Sequence, residues 1–597
     1  MDHYGFYTGK ILDAYEYFGC HLTEDGAVFR TFAPAAKKIC VIGEFNNWNE
    51  TEMKNVYNNH FWECNIEGVK AVMMYKFRIY KNDGTFVDHC DPYGYGMELR
   101  PMCASIVRDM NKFMFNDQKW MNSRNNHINK PLNIYEVHLG SWRNNKDNEN
   151  GWYSYSEIAD QLIMYVKDKG YNYIELMPIG EHPCDNSWGY QQTGFYAPTS
   201  RYGDCDGLKD LINRCHNNGI GVILDFVPVH FAVDGYGLAK FDGTHLYEYP
   251  NDAVGVSQWG SHNFNHSRGE VQCFLQSAAN YWLSEYHFDG LRIDALSNII
   301  YWHGDKNRGV NNNAVEYIKY MNKSLKEKHK GIMLIAEDST SYPGVTKSVE
   351  EGGLGFDYKW DMGWMNDTLE YFKLSPEDRK GAYHKLTFSM MYNYNENFIM
   401  PLSHDEVVHG KATILQKMYG DLDNKFPQAR AMYMYMYTHP GKMLNFMGNE
   451  IGQLREWDER REQDWNITEF PLHKKFEIFM KDLNTLYLKK TALWADDHNT
   501  EGFKWIDCHQ EEKCIYALER RTGNKRIVAL FNFSDKATNY ELKVDKCTCL
   551  SLCIDSNETK YGGDGANVLK KLYMVDGKVN IDVAPYSGKI FEVNYSI

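Results

Sequence analysis

The chain has 597 residues, 43% hydrophobic and 24% charged, a balance that excludes a disordered chain, a collagen-like fibre and a disulfide miniprotein. Its 65 Lys and Arg against 80 Asp and Glu leave a net charge of −15, spread without long like-charge runs, which argues against nucleic acid and membrane as partners. No apolar stretch is long enough to span a bilayer, and the first residues lack a basic stretch followed by an apolar one, so a cytoplasmic protein without a secretory signal is expected. The 14 cysteines are scattered and Cys547 and Cys549 are too close for a CxxC site, so reduced thiols are expected, with no cofactor and no metal.

Residues 1–16 read as an N-terminal extension. Residues 17–110 then read as strands and turns: Val28–Phe32, Ile39–Ile42, Phe61–Cys64 and Tyr75–Tyr80, punctuated by Pro34, Asn46-Asn47 and Asn82-Asp83-Gly84. That spacing predicts a small β-sandwich. A polar stretch over 111–131 reads as a linker.

From residue 132 to 495 the pattern changes. After a strand at 133–137, helical apolar spacing at Ile158, Leu162, Tyr165 and Val166 gives way to Gly170 and the strand Tyr173–Met177. The same order recurs: helix, glycine or a Gly-containing turn, apolar strand, with strands at Gly221–Val227, Leu291–Asp294 and Ile332–Glu337. Further strands are expected at Gly355–Tyr358, Phe398–Leu402 and Met443–Met447. Eight βα units predict an α/β fold of the (β/α)8 TIM-barrel type, its longest insertion following the third strand at about 231–268. Strands at Cys514–Leu518, Ile527–Phe531 and Tyr540–Leu542 predict a C-terminal β-sandwich over 496–597.

Three barrel strands end in an acid, Asp225, Asp294 and Glu337, and a later one runs into His404-Asp405. The C-terminal strand ends of such a barrel surround one mouth, where active sites lie. Arg292, two residues before Asp294, shares its face of the strand and favours an ionised carboxylate, the property of a nucleophile. Glu337 closes an apolar strand, so a less polar surrounding and a raised pKa are expected, the property of an acid. Two carboxylates of opposite bias suit cleavage of a glycosidic bond. An aromatic content of 15%, with 15 Trp and 43 Tyr, suits stacking on sugar rings.

Four segments carry a family resemblance: Asp225-Phe-Val-Pro-Val-His230, Gly290-Leu-Arg-Ile-Asp294, Ile335-Ala-Glu-Asp338 and Leu402-Ser-His-Asp-Glu406. Together they resemble the α-amylase superfamily. The segments Ser187–Pro198, Gly353–Trp364, Leu402–Lys411 and Met447–Gly452 with Glu456-Trp457 are similar to the glycogen branching enzymes within it. Phe32-Ala-Pro34 and Gly43–Trp48 resemble the glycogen-binding sandwich that precedes the barrel there, and the start of that sandwich by about residue 17 implies that the longer N-terminal extension of some bacterial members is missing. The resemblance implies Asp294 as nucleophile, Glu337 as acid/base and Asp405 as the carboxylate that orients the sugar. It implies Tyr190, Asp225, His230, Arg292 and His404 around the cleaved bond, with Trp188, Trp360 and Trp48 as further substrate-binding residues. Phe226, Val229 and Asp338 depart from the residues common at those positions, which bears on subsite shape and not on chemistry. The implied partner is an α-1,4-glucan polymer, acted on by a monomeric transferase. Two other readings stand beside it: an α-glucan hydrolase with the same site, and a non-catalytic glucan-binding scaffold.

Overall fold

Ser154 shows how the repeating unit begins. Its backbone N–H donates to Glu157 at 2.8 Å while its hydroxyl accepts from the Glu157 N–H, a reciprocal cap that starts helix α1 (Tyr155–Asp168). The stripe Ile158, Leu162, Ile163 and Val166 is buried, and Gly170, at φ +79°, turns the chain out of the helix into the next strand. Helices Cys205–Asn217 and Asn312–Lys328 start on single caps, Asp204 and Asn311, and are followed by Gly219 and Gly331 at positive φ, while Gly269–Glu285 starts without a side-chain cap.

The computed structural model describes residues 1–595. Its centre is a closed, all-parallel barrel in chain order: β1 (Asn133–Val137), β2 (Tyr173–Leu176), β3 (Gly221–Phe226), β4 (Gly290–Ile293), β5 (Met333–Ala336), β6 (Tyr358–Trp360), β7 (Phe398–Leu402) and β8 (Lys442–Phe446). The sixth strand falls later than the expected 355–358. Gly355 sits at φ +81° and the Asp357 N–H donates to Leu334, so the preceding residues form an entry turn and pairing begins at Tyr358.

The N-terminal strands form two antiparallel sheets, one of Gly19–Leu22, Gly26–Phe32, Phe61–Glu67 and Lys54–Val56, the other built on Lys38–Gly43 and Met74–Tyr80. Phe29 packs between them against Phe45 and Tyr75. Residues 1–16 form no free extension. Phe6 enters the aromatic cluster of Phe18, Phe32 and Phe61, and Gln276 and Asn280 of the helix after β3 donate to the carbonyls of Gly9, Ile11 and Leu12. The C-terminal strands form a six-stranded sheet facing a two-stranded one, with their own core around Ile515, Leu530, Leu542 and Phe591.

The stretch 111–131, expected as a linker, closes the N-terminal end of the barrel. It contains a helix, Gln118–Ser123. Trp120 and Ile128 pack on the apolar interior formed by Ile134, Tyr173, Ile223, Met333 and Leu444. Trp120 stacks on His216 at 5.2 Å and donates to Asp289 at 2.8 Å. Asp117, Arg124, Asn126 and His127 are hydrogen-bonded to barrel residues, while most of the other polar residues of the stretch are exposed.

Candidate active site

Arg292, on β4 and buried, organises the C-terminal mouth. Nη1 lies 2.7 Å from Asp225 of β3 and 2.8 Å from Asp294, and Nη2 lies 2.9 Å from Glu337. Parallel register places Arg292 beside Asp225, and the two-residue offset puts Asp294 on the same face one step nearer the mouth. One guanidinium therefore carries three carboxylates. Just past β4, Ala295 adopts φ +44°, a conformation rare outside glycine, and its N–H donates to Glu337 Oε2 at 2.8 Å. The turn aims a backbone donor at the second acid.

His404, beyond β7, is the second positive group. Its Nδ1 lies 2.5 Å from Glu136 Oε1, its backbone N–H donates to Glu136 Oε2, and Nε2 lies 3.5 Å from Asp405. Burial opposes charge on the ring, but Glu136 and Asp405 outweigh it and push His404 up to about 9. Tyr190 stacks on His404 and donates to Asp225 at 2.5 Å. Burial resists ionisation of Asp405 too, yet His404 and Arg292 hold it below the usual carboxylate range. His230 is buried with Nδ1 unpartnered among the described residues, and burial lowers it to about 4, which favours the neutral ring.

These groups line a cleft of about 460 Å³ that includes Trp188, Tyr190, His230, Asp294, Glu337, His404 and Asp405. Trp188 stacks on His409 and meets Trp457 at 4.8 Å. Trp360 does not join them. Its side chain points into the barrel beneath Arg292, 4.4 Å from the guanidinium, and is fully buried, so it supports the arginine and cannot touch substrate in this cleft. Trp48 lies on the N-terminal sandwich, away from the cleft, and is 42% exposed at φ +60°.

The expected contrast between the two acids is not present as drawn. Glu337 faces Arg292 rather than apolar side chains. Burial raises Asp294 well above the ordinary carboxylate range; Arg292 opposes this, but Glu337 and Asp225 add to it. Strand spacing showed the arginine's proximity but not the crowding of carboxylates around it.

Other participants went unread. Glu136 and Glu175 stand side by side in β1 and β2, fully buried, and both Glu175 oxygens lack partners among the described residues. Each is a lone acid inside an apolar strand, and that was the available signal. Trp259, in the insertion after β3, lines the cleft near His230. Among the described residues no group of three or more His, Cys, Asp or Glu is placed to hold a metal, and no helix is long and apolar enough to cross a membrane.

A parallel barrel with clustered carboxylates and a neighbouring arginine and histidine at its C-terminal mouth defines a catalytic domain of the α-amylase type. Residues 141–241 and 256–541 match the family model "Alpha amylase, catalytic domain"; residues 17–94 match "Carbohydrate-binding module 48 (Isoamylase N-terminal domain)" and residues 505–594 "Alpha amylase, C-terminal all-beta domain". A relative from Fusobacterium nucleatum, named 1,4-alpha-glucan branching enzyme GlgB, is 45% identical over 94% of this chain and 92% of its own. Another from Francisella philomiragia, of the same name, is 40% identical over 99% of this chain and 97% of its own. A solved structure of a putative alpha amylase from Salmonella typhimurium superposes with TM-score 0.72 at 17% identity, over 97% of this chain and 99% of its own, a likeness of fold. The chain belongs to the branching-enzyme family of the α-amylase superfamily.

Proposed function

We propose that this protein is a 1,4-α-glucan branching enzyme, which cleaves an α-1,4 bond in a linear glucan and transfers the segment to a 6-hydroxyl, making the α-1,6 branches of glycogen or a similar polymer. The observation that carries the reading is the single guanidinium of Arg292 bridging buried Asp225 to Asp294 and Glu337, which line one cleft, in a chain 40–45% identical to proteins of that name.

In the first step Glu337 gives its proton to the glycosidic oxygen as the bond from that oxygen to C1 breaks. An Asp294 oxygen bonds C1 from the opposite face, and the departing chain leaves with a 4-hydroxyl. In the second step Glu337, now a carboxylate, takes the proton of an acceptor 6-hydroxyl, whose oxygen bonds C1 as Asp294 leaves. Two inversions retain the α configuration. Arg292 limits the charge that builds up among the carboxylates and is held in place by Trp360. Asp405 and neutral His230 are placed to take sugar hydroxyls, and Trp188 and Trp259 offer ring faces. Transfer must outcompete water at about 55 M, so the cleft has to position the acceptor rather than admit solvent.

All 14 cysteines are free, which supports a reducing, cytoplasmic location. The test is to incubate the protein with amylose and follow the iodine spectrum and reducing ends together. Branching shifts the spectrum with little new reducing end. Reducing ends released in step with the shift would make the protein a hydrolase, and no change in either would make it a scaffold.

A further inference from the structure

Glu136, on β1, is fully buried and takes no part in lining the reaction cleft. It reaches the cleft only through another group. Both of its oxygens turn to one residue: Oε1 lies 2.5 Å from His404 Nδ1, and Oε2 accepts the His404 backbone N–H at 3.0 Å. His404 follows β7, so this one carboxylate ties together the two strands that flank β8.

Packing fixes the rest of the imidazole. Tyr190 stacks on it with centroids 5.6 Å apart, and Trp188, Phe446 and Trp457 meet it at steep angles. With Nδ1 turned to Glu136, only Nε2 faces the cleft, 3.2 Å from Tyr190 Oη and 3.5 Å from Asp405. Tyr190 Oη has a single proton and gives it to Asp225 at 2.5 Å, so toward the histidine it accepts and Nε2 donates. A carboxylate at one ring nitrogen and an acceptor at the other require a proton on both.

The charges facing the ring agree. Burial opposes a charge there, as do Arg292 of β4 and His138 beyond β1, while Glu136, Asp405 and Asp225 of β3 favour it. Glu175 stands beside Glu136 in β2. Burial, Glu136 and Asp225 raise it well above the ordinary carboxylate range, which favours its neutral form and leaves Glu136 as the anion of the pair.

We propose that Glu136 is a positioning residue of the reaction, fixing the plane of His404 and keeping its Nε2–H turned to the cleft as a donor to a sugar hydroxyl beside Asp405. The inference rests on the α-glucan reading of the protein. It is tested by a double-mutant cycle on amylose branching, with Glu136→Gln made in the wild-type and in the His404→Gln backgrounds and thermal midpoints measured for each. One amide oxygen cannot accept from both the ring and the backbone N–H, so Glu136→Gln should lower kcat/KM by roughly 10- to 100-fold. In the His404→Gln background the same change should cost less than about twofold, because the group it acts through is gone. Nitrogen-15 histidine spectra at about pH 8, above the ordinary histidine value, give a second measurement. His404, assigned by its loss in His404→Gln, should show two protonated ring nitrogens in wild type and one in Glu136→Gln. An equal loss of kcat/KM in both backgrounds overturns the inference, as does folded Glu136→Gln with wild-type turnover. A wild-type His404 with one bare nitrogen overturns it even if Glu136→Gln fails to fold. Each of these results in a protein that still branches amylose removes this inference alone, whereas a wild type that makes no branches removes the glucan reading with it.

Discussion

Each end of the barrel buries a histidine among carboxylates. At the closed end His216 lies 2.7 Å from Asp117 and 2.9 Å from Asp289, with Trp120 stacked on its face. At the open end His404 sits between Glu136 and Asp405. Burial opposes charge in both, the carboxylates outweigh it, and both are pushed up to about 9. The difference lies in what surrounds them. The closed end is saturated: both ring nitrogens of His216 are engaged, and Asp289 also accepts from Trp120 and from the Val222 N–H. The open end leaves Arg292 Nε, His230 Nδ1 and both Glu175 oxygens without partners among the described residues. A saturated network stabilises the fold, whereas unpartnered buried groups cost stability, and of these only His230 lines the cleft where a substrate could reach it.

The strongest way to break this contrast is Asp294→Ala. It should lower kcat by at least about 10⁴-fold, with a thermal midpoint equal to or above wild type because a crowded buried carboxylate is removed. Substantial turnover in the folded variant would remove Asp294 as nucleophile, and a large drop in midpoint would remove the contrast.

Asp117→Ala is the counterpart at the closed end. It strips one partner from a buried ionic network and should cost about 3–5 kcal/mol of stability in denaturant titrations, while kcat of the folded fraction stays within about twofold of wild type. Equal damage to turnover would show that the two ends are coupled.

Titration sharpens the comparison further. A folded histidine pKa of about 9 lies above the ordinary value near 6.5, so the stability each histidine contributes is present below about pH 6.5 and lost as pH rises toward 9. Unfolding free energy should fall across that window by a few kcal/mol, and by visibly less in Asp117→Asn, where only the His404 share remains in full. The same slope in the variant would mean that His216 is not charged in the folded protein. Activity has its own acid limb, because the nucleophile must be ionised and Asp294 is raised, so kcat/KM should begin to fall above the usual carboxylate range as pH drops.

The smallest effect is expected outside the barrel. Trp48 is exposed, so Trp48→Ala should leave the thermal midpoint unchanged and weaken binding to polymer by about 5-fold or less, turnover of short oligosaccharides being spared. A drop of several degrees with unchanged polymer affinity would make Trp48 a packing residue.

The sequence by itself determined the repeating units, the eight strands and the acids at their ends, because period-two and period-3.6 apolar patterns, caps and glycine stops are local properties. It also placed Arg292 on the face of Asp294, since two residues along a strand is a local relation. Tertiary structure decided the rest. Which way Trp360 points depends on where β6 begins pairing, and the entry turn at Gly355 delays that by a few residues. Whether Glu337 meets an apolar wall or a guanidinium depends on Arg292 of the neighbouring strand, and the raised pKa of Asp294 depends on carboxylates from three strands converging. The polar stretch at 111–131 read as a linker because composition cannot reveal that His216, Asp289 and His287, 99 to 170 residues further on, supply partners for Asp117 and Trp120. Electrostatic environment is a sum over groups distant in sequence, so it becomes legible only once the barrel has closed.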